Sequence, residues 1–302
     1  MINGVYHAND PGSDTTEGGE FKRAASVIRE WITLEGPYQP DPGRYHLYVA
    51  WNCPWAHRTL LAREILGLQD AISVAYARPR RSDQGWVYDA EGEYSDPELG
   101  VRALHEVFAH QQPSYTGRLT VPVLWDRKTK QIVSNESSEI IRMFALFGSG
   151  PDLYATPLRG EIDDWNERIY STLNNGVYRA GFARTQEAYD NAVREVFATL
   201  DAIEARLGGN DWLVGDQFSE ADLMLFPTLA RFDVAYHYAF KCNLRRIVDY
   251  PSLWKYARRI YAMPGVADTV RFDIYKQGYF SPSELRNPLG IVPLGPVIDW
   301  SL

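Results

Sequence analysis

The stretch Asn52-Cys53-Pro54-Trp55-Ala56-His57-Arg58 sets one of the chain's two cysteines directly before a proline, where β-rich sequence gives way to helical spacing. Pro54 suits the first position of a helix, because the N–H it lacks would have no partner there. Cys53 then falls at or just before the helix N-terminus. Unpaired backbone N–H groups and the positive end of the helix dipole stabilise a thiolate at that point, and thiol pKa values drop to roughly 3.5–7.5 in such settings. His57 and Arg58, one turn on, either add positive potential or face solvent and neighbouring backbone. Three residues after Cys53, where a disulfide oxidoreductase carries its resolving cysteine, stands Ala56. A mixed disulfide on Cys53 has no local thiol to resolve it, so an external thiol must do so. Glutathione is the abundant cytosolic candidate. The plainer reading of Cys53 is a small buried residue at a strand–helix junction. For Cys242, in HYAFKCN on an expected helix, a core or surface-neutral role is preferred.

Two further features suit a bound tripeptide thiol. Val121-Pro122 opens a hairpin; a cis bond there would leave the backbone edge of Val121 open to a peptide ligand, whereas the alternative is an ordinary edge-strand proline. Asn135-Glu136-Ser137-Ser138 starts a helix whose N–H groups could hold a carboxylate, with Ser137 adding a hydroxyl and Glu136 accepting from an α-ammonium. The competing reading is plain N-capping by Asn135 or Ser134.

The rest of the chain bounds what this chemistry can serve. A formal net charge of −8 argues against a phosphate-backbone partner. No apolar run approaches the roughly 20 residues that cross a bilayer. MINGVYHANDPGSD has neither a basic nor an apolar leader segment, so the cytoplasm is the expected compartment. A Cys53–Cys242 bridge is open by count, but a reducing cytosol argues against it.

The elements that must position Cys53 read as follows. Residues 1–44, rich in Gly, Pro and Asp, form an extended lead-in containing one apolar-polar stretch, FKRAASVIREWI. The spacing predicts a strand over 45–51, a helix over 55–66, a strand over 72–76 and a helix over 98–110. A hairpin over 121–125 and 132–134 follows, with the turn DRKTKQ, then a helix opened by Asn135 and running to Phe147. That order, βαβ then ββα, is thioredoxin-like. After GSGPDL the pattern is helical from Glu161 to about Phe272. It includes an amphipathic helix over 188–207 ended by Gly208-Gly209, and a helix start with Ser219 at the N-cap, Asp222 at N3 and Phe218 and Leu223 as a staple. The expected domains are a lead-in over 1–44, a thioredoxin-like α/β domain over 45–150, an all-α domain over 160–275, and a Pro/Gly-rich segment over 276–302 that packs back near the active site.

With these residues in view the chain resembles a known family. NCPWAHR, VPVLWD, NESSEIIRMF, NNGVYRAGFA and NPLGIVPLGP together look like the Xi-class glutathione transferases, also called glutathionyl-hydroquinone reductases. The resemblance runs from about Tyr45 to the end. It implies the glutathione transferase fold, a homodimer, and glutathione as co-substrate with no metal. Cys53 resembles the family's nucleophile; Trp86, Arg118, Val121, Glu136 and Ser137 resemble its glutathione contacts. Tyr178 and Tyr279 resemble tyrosines on the hydroquinone side, although this chain reads Gly278-Tyr279-Phe280-Ser281-Pro282 where the family usually shows flanking histidines. The implied reaction removes glutathione from a glutathionyl-hydroquinone through a Cys53–glutathione mixed disulfide. A general cysteine-type transferase, acting on small disulfides or dehydroascorbate, and a non-catalytic binding module are the rival readings.

Overall fold

A computed structural model describes residues 1–8, 15–148 and 150–302. The DPGSD part of the lead-in and Ser149 of the GSGPDL break lie outside the described residues. The chain divides into two compact units, the first holding residues 1–8 and Ala24–Pro151, the second residues 15–23 and Asp152–Leu302.

The first unit is built on β1 (Tyr45–Ala50), which is buried at all six positions, as a strand covered on both faces must be. It pairs in parallel with β2 (Ile72–Ala77) and antiparallel with β3 (Val123–Asp126), which pairs antiparallel with β4 (Gln131–Ser134), giving the order β2-β1-β3-β4. Parallel neighbours require a crossover, and α1 (Pro54–Ile65) supplies it. α2 (Leu104–Gln111) precedes the hairpin, and α3 (Ser137–Phe144) follows it and packs on α1. This is a thioredoxin-like unit.

Two local expectations are corrected. The helix expected from residue 98 begins only at Leu104, because the Asp96 carboxylate accepts from the N–H groups of Glu98, Leu99 and Val101 and holds that stretch as a turn. The helix expected from Asn135 to Phe147 is α3 followed by a 3-10 turn over Ala145–Phe147. Its start is displaced because Asn135 is engaged by the lead-in: its N–H donates to Ile28 O at 3.0 Å and its side chain accepts from Ile28 N. The lead-in itself runs extended beside β4, with Glu30 N donating to Val133 O and an Arg29–Ser134 bridge, and so covers an edge that would otherwise be open.

A buried ion pair ties the hairpin to the start of β1. Arg44 donates through Nε and Nη2 to both oxygens of Asp126, each at 2.7 Å, and Asp126 is fully buried. Burial pushes that carboxyl up, but Arg44 and Thr129 outweigh it and hold it below the ordinary aspartate value. Asp126→Asn leaves Arg44 without its counter-charge and is expected to cost roughly 3–5 kcal/mol in urea unfolding. The folded-state carboxyl lies below the unfolded one, so the pair's contribution is complete above pH about 4 and is lost as pH falls through the folded value.

Among the described residues the regular elements of the second unit are helical: α4 (Arg159–Arg168), α5 (Gly176–Phe182), α6 (Gln186–Leu207), α7 (Glu220–Arg231), α8 (His237–Ala239), α9 (Pro251–Tyr261) and α10 (Phe272–Tyr279). α7 is buried at every position and is the centre of the bundle. Its start is fixed by Asp222, which accepts from Ser219 N at 2.8 Å, Leu213 N at 3.0 Å and Tyr256 OH at 2.7 Å. Two segments wind as π-helix, Ile169–Asn174 before α5 and Phe232–Tyr236 after α7. The irregular tail is anchored by Trp300, whose ring meets Trp254 at 4.8 Å and Tyr261 and Phe272 at 5.3 Å. No helix among the described residues is long and apolar enough to cross a membrane.

Candidate active site

β1 ends at Ala50 and the chain turns through Cys53, whose N–H donates to Ala50 O at 3.0 Å. Cys53 is the N-cap of α1, with extended φ/ψ of −83° and 117°, and its carbonyl accepts the first intrahelical bond from His57 N at 3.0 Å. Pro54 occupies the first helical turn, as its missing N–H permits. The thiol therefore stands where the helix N-terminus favours negative charge. Its side chain is partly exposed, as a nucleophile requires, and Sγ donates to Val121 O at 3.4 Å.

Val121 precedes Pro122 through a cis peptide bond, and the β1–β3 ladder ends at Val123, two residues short of it. Of the two readings left open for this dipeptide, the structure has the cis bond. Ser137 is buried at the start of α3, and its hydroxyl accepts from Arg58 Nη1 at 3.4 Å. Glu136 is itself the N-cap of α3: its Oε1 accepts from Ser138 N at 3.2 Å and Ser138 Oγ at 2.9 Å. The competing reading, capping by Asn135 or Ser134, gives way to a cap by Glu136. His57 and Arg58 do not face solvent; both are 1% exposed, and Arg58 lies 4.5 Å from the Trp55 ring centroid. The packing of α1 against α3 puts that face inside.

Cys53, Val121 and Ser137 are thus linked through the start of α1. Trp86 and Arg118 are given other neighbours. Trp86 is half-buried with Arg81 5.4 Å from its ring centroid, and Arg118 is exposed with its carbonyl accepting from Tyr115 OH at 3.2 Å. Cys242 belongs to the second unit; it is fully buried, and burial pushes its thiol up to about 12. Both cysteines are free thiols. Among the described residues no group of three or more His, Cys, Asp or Glu side chains is placed to hold a metal ion.

In the second unit α5 and α10 bring Tyr178 and Tyr279 together, hydroxyl to hydroxyl at 2.7 Å. The Tyr279 hydroxyl also meets that of Tyr236 at 3.0 Å. Burial, with the neighbouring phenols, holds Tyr279 and Tyr236 well above the ordinary tyrosine value, and Arg231 only partly offsets it. Both hydroxyls therefore remain proton donors through the neutral range.

A glutathione S-transferase N-terminal domain model matches residues 52–145, and a glutathione S-transferase C-terminal domain model matches residues 186–259. The chain is 46% identical to the glutathionyl-hydroquinone reductase YqjG of Escherichia coli strain K12, covering 99% of this chain and 95% of that protein. The Xi glutathione transferase of Phanerochaete chrysosporium superposes with a TM-score of 0.90 at 45% identity, covering 95% of this chain and 96% of that one. The chain belongs to the Xi class of the glutathione S-transferase family.

Two more comparisons extend over nearly the whole chain. Glutathionyl-hydroquinone reductase PcpF of Sphingobium chlorophenolicum is 46% identical over 98% of this chain and 96% of that protein. The glutathione-bound structure of Escherichia coli YqjG has a TM-score of 0.90 at 42% identity, over 99% of this chain and 96% of that one. Within this Xi-class chain, sequence reasoning missed two members of the aromatic site. Tyr236 falls in the π-helical segment, where an α-helical period misassigns the faces. Arg23, whose guanidinium lies 4.8 Å from the Tyr178 ring centroid, comes from the lead-in, and no local pattern pointed to it. The spacing of Tyr275 and Tyr279, four apart on α10, was the one available hint of a tyrosine-bearing face.

Proposed function

We propose that the chain reduces glutathionyl-hydroquinones to hydroquinones, with Cys53 as nucleophile and glutathione as the electron donor. The observation that carries this reading is the solitary thiol at the start of α1, with Ala56 where a resolving cysteine would stand. The names of the two reductases at 46% identity support the choice of substrate.

The Cys53 thiolate attacks the glutathione sulfur of the conjugate. An S–S bond forms, the ring carbon–sulfur bond breaks, and its electron pair goes to the ring carbon, which takes a proton. Hydroquinone leaves, and Cys53 is held as a mixed disulfide with glutathione. A second glutathione thiolate then attacks that disulfide, releasing oxidised glutathione and restoring the Cys53 thiolate, so the two electrons come from the conjugate's own glutathione sulfur and from one glutathione thiol. Carbon is a poor leaving group, and proton delivery to it is the demanding step. Tyr178 and Tyr279 are assigned to orient the ring and supply that proton. Their mutual hydrogen bond supports the assignment.

Glutathione is assigned to Trp86, Arg118, Val121, Glu136 and Ser137. Support for this comes from the early end of the ladder at Val123, which leaves the Val121 backbone beside the thiol, and from the polar start of α3. The chain is proposed to work in the cytoplasm as a homodimer, without a metal.

The test is a comparison of two substrates at equal glutathione. A glutathionyl-hydroquinone is expected to give a kcat/KM at least about tenfold above that of dehydroascorbate, the general substrate needing no carbon protonation. The reverse order would make the chain a general thioltransferase.

A further inference from the structure

Asn135 connects the two stretches of backbone assigned to glutathione. Thr120 directly precedes Val121, whose carbonyl oxygen lies 3.4 Å from Cys53 Sγ. Asn135 directly precedes Glu136 and Ser137 at the start of α3. Its Nδ2 group donates to Thr120 Oγ1 at 3.1 Å, so one side-chain bond joins the two stretches. Asn135 is 4% exposed and Thr120 is half-buried.

The lead-in holds that amide in place. Glu30 N donates to Val133 O at 2.8 Å and Asn135 N to Ile28 O at 3.0 Å, as in an antiparallel pair. In a regular ladder the bond returned across the Ile28–Asn135 pair would run from Ile28 N to Asn135 O. Here Ile28 N donates instead to Asn135 Oδ1 at 3.3 Å, and Asn135 O accepts from Ser26 Oγ at 3.1 Å. The side-chain amide thus replaces the carbonyl where the chain leaves β4 and turns into α3. Because the Ile28 N–H can only donate, it fixes the amide oxygen on its own side and leaves the NH2 group for Thr120. Aspartate would keep the acceptor but offer no donor to Thr120, and glutamine would carry both groups on a longer stem.

We propose that Asn135 is a positioning residue for glutathione: held by Ser26 and Ile28 of the lead-in, it sets the spacing between Val121 and the Glu136–Ser137 start of α3. The lead-in then serves the site through Asn135, without itself touching the ligand. The proposal rests on the assignment of glutathione to Val121, Glu136 and Ser137. A hydrogen bond between neutral groups shifts an equilibrium by about two- to tenfold. Loss of the Asn135–Thr120 bond frees the two stretches to move separately, and glutathione must then order them as it binds.

Glutathione binding to the full chain is measured by titration calorimetry in Thr120→Val, Thr120→Ser, Asn135→Ala and Ser137→Ala, with thermal unfolding of each. Thr120→Val is nearly isosteric but lacks the acceptor, and its Kd for glutathione is expected to rise about five- to tenfold. Thr120→Ser keeps the hydroxyl and should stay within about twofold of the wild type. KM for glutathione should follow Kd in Thr120→Val, while kcat at saturating glutathione changes by no more than about threefold. Asn135→Ala cuts the same bond and the hold of the lead-in, so its Kd should rise at least as far; if that variant fails to fold, Thr120→Val still decides. An unchanged Kd in Thr120→Val overturns the proposal, and so does an equal rise in Thr120→Ser. A lower unfolding midpoint with an unchanged Kd would make the bond purely structural and overturn it too. Ser137→Ala tests the underlying assignment: if it leaves binding unchanged, the assignment falls and takes the proposal with it. If Ser137→Ala weakens binding while Thr120→Val does not, the proposal alone falls.

Discussion

Cys53→Ser is expected to lose reductase turnover by roughly a thousandfold or more while keeping its unfolding midpoint within a few degrees. A hydroxyl is nearly the size of a thiol, so the turn between β1 and α1 and the helix that starts there have no reason to change. What disappears is the nucleophile. The helix N-terminus stabilises a thiolate because a thiol ionises close enough to neutral pH for the dipole and free N–H groups to matter. A serine hydroxyl ionises far above that range and stays protonated. A thousandfold loss corresponds to about 4 kcal/mol of transition-state stabilisation. Steady-state kinetics with a glutathionyl-hydroquinone, alongside thermal unfolding, check both halves. Cys242→Ser is the internal comparison: that thiol is buried, pushed up to about 12, and belongs to the second unit, so its replacement should leave turnover near the wild-type rate.

The second large effect is expected at the phenols. Tyr279 is the middle of the hydroxyl chain, bonded to Tyr178 at 2.7 Å and to Tyr236 at 3.0 Å. Tyr279→Phe removes both bonds at once, and Tyr178→Phe removes the half-exposed end of the chain. General acid catalysis contributes about 10²–10⁴-fold, so each substitution should lower kcat for hydroquinone release by about a hundredfold. Tyr236 is fully buried, so Tyr236→Phe should cost less than about tenfold. The loss must be confined to the step that protonates carbon. Reduction of a small glutathione mixed disulfide needs no such proton and should change by no more than about threefold in Tyr178→Phe and Tyr279→Phe. Parallel loss of both activities would mean that the tyrosines hold the bundle together and do no chemistry. Because burial keeps Tyr279 and Tyr236 well above the ordinary tyrosine value, the acid stays loaded across the neutral range. The pH profile of kcat should therefore show no tyrosine limb below pH about 9.

Much of the first unit could be read before any coordinates. The run YHLYVA is apolar or aromatic at nearly every position, and a strand buried on both faces looks like that. A proline after Cys53 marks a helix start by a purely local rule, so the placement of Cys53 at the N-cap of α1 was legible. What escaped depended on non-local bonds. The start of α2 is delayed because one side chain, Asp96, gathers three backbone N–H groups, and a helical period carries no trace of that competition. Asn135 looked like a cap, but the lead-in takes its hydrogen bonds and Glu136 caps α3 in its place. In the second unit the helices followed from their spacing, whereas the aromatic site did not. Its members come from the lead-in, α5, a π-helical segment and α10, and only packing brings Arg23, Tyr178, Tyr236 and Tyr279 together.

The most direct test of the central claim is the intact mass of the protein after mixing with one equivalent of glutathionyl-menadiol, with no free glutathione present. The account predicts a gain of one glutathione, mapped to Cys53, together with an equivalent of free quinol, and a return to the original mass when glutathione is added. An unchanged mass with no quinol released, or an adduct carried equally by Cys53→Ser, would contradict it.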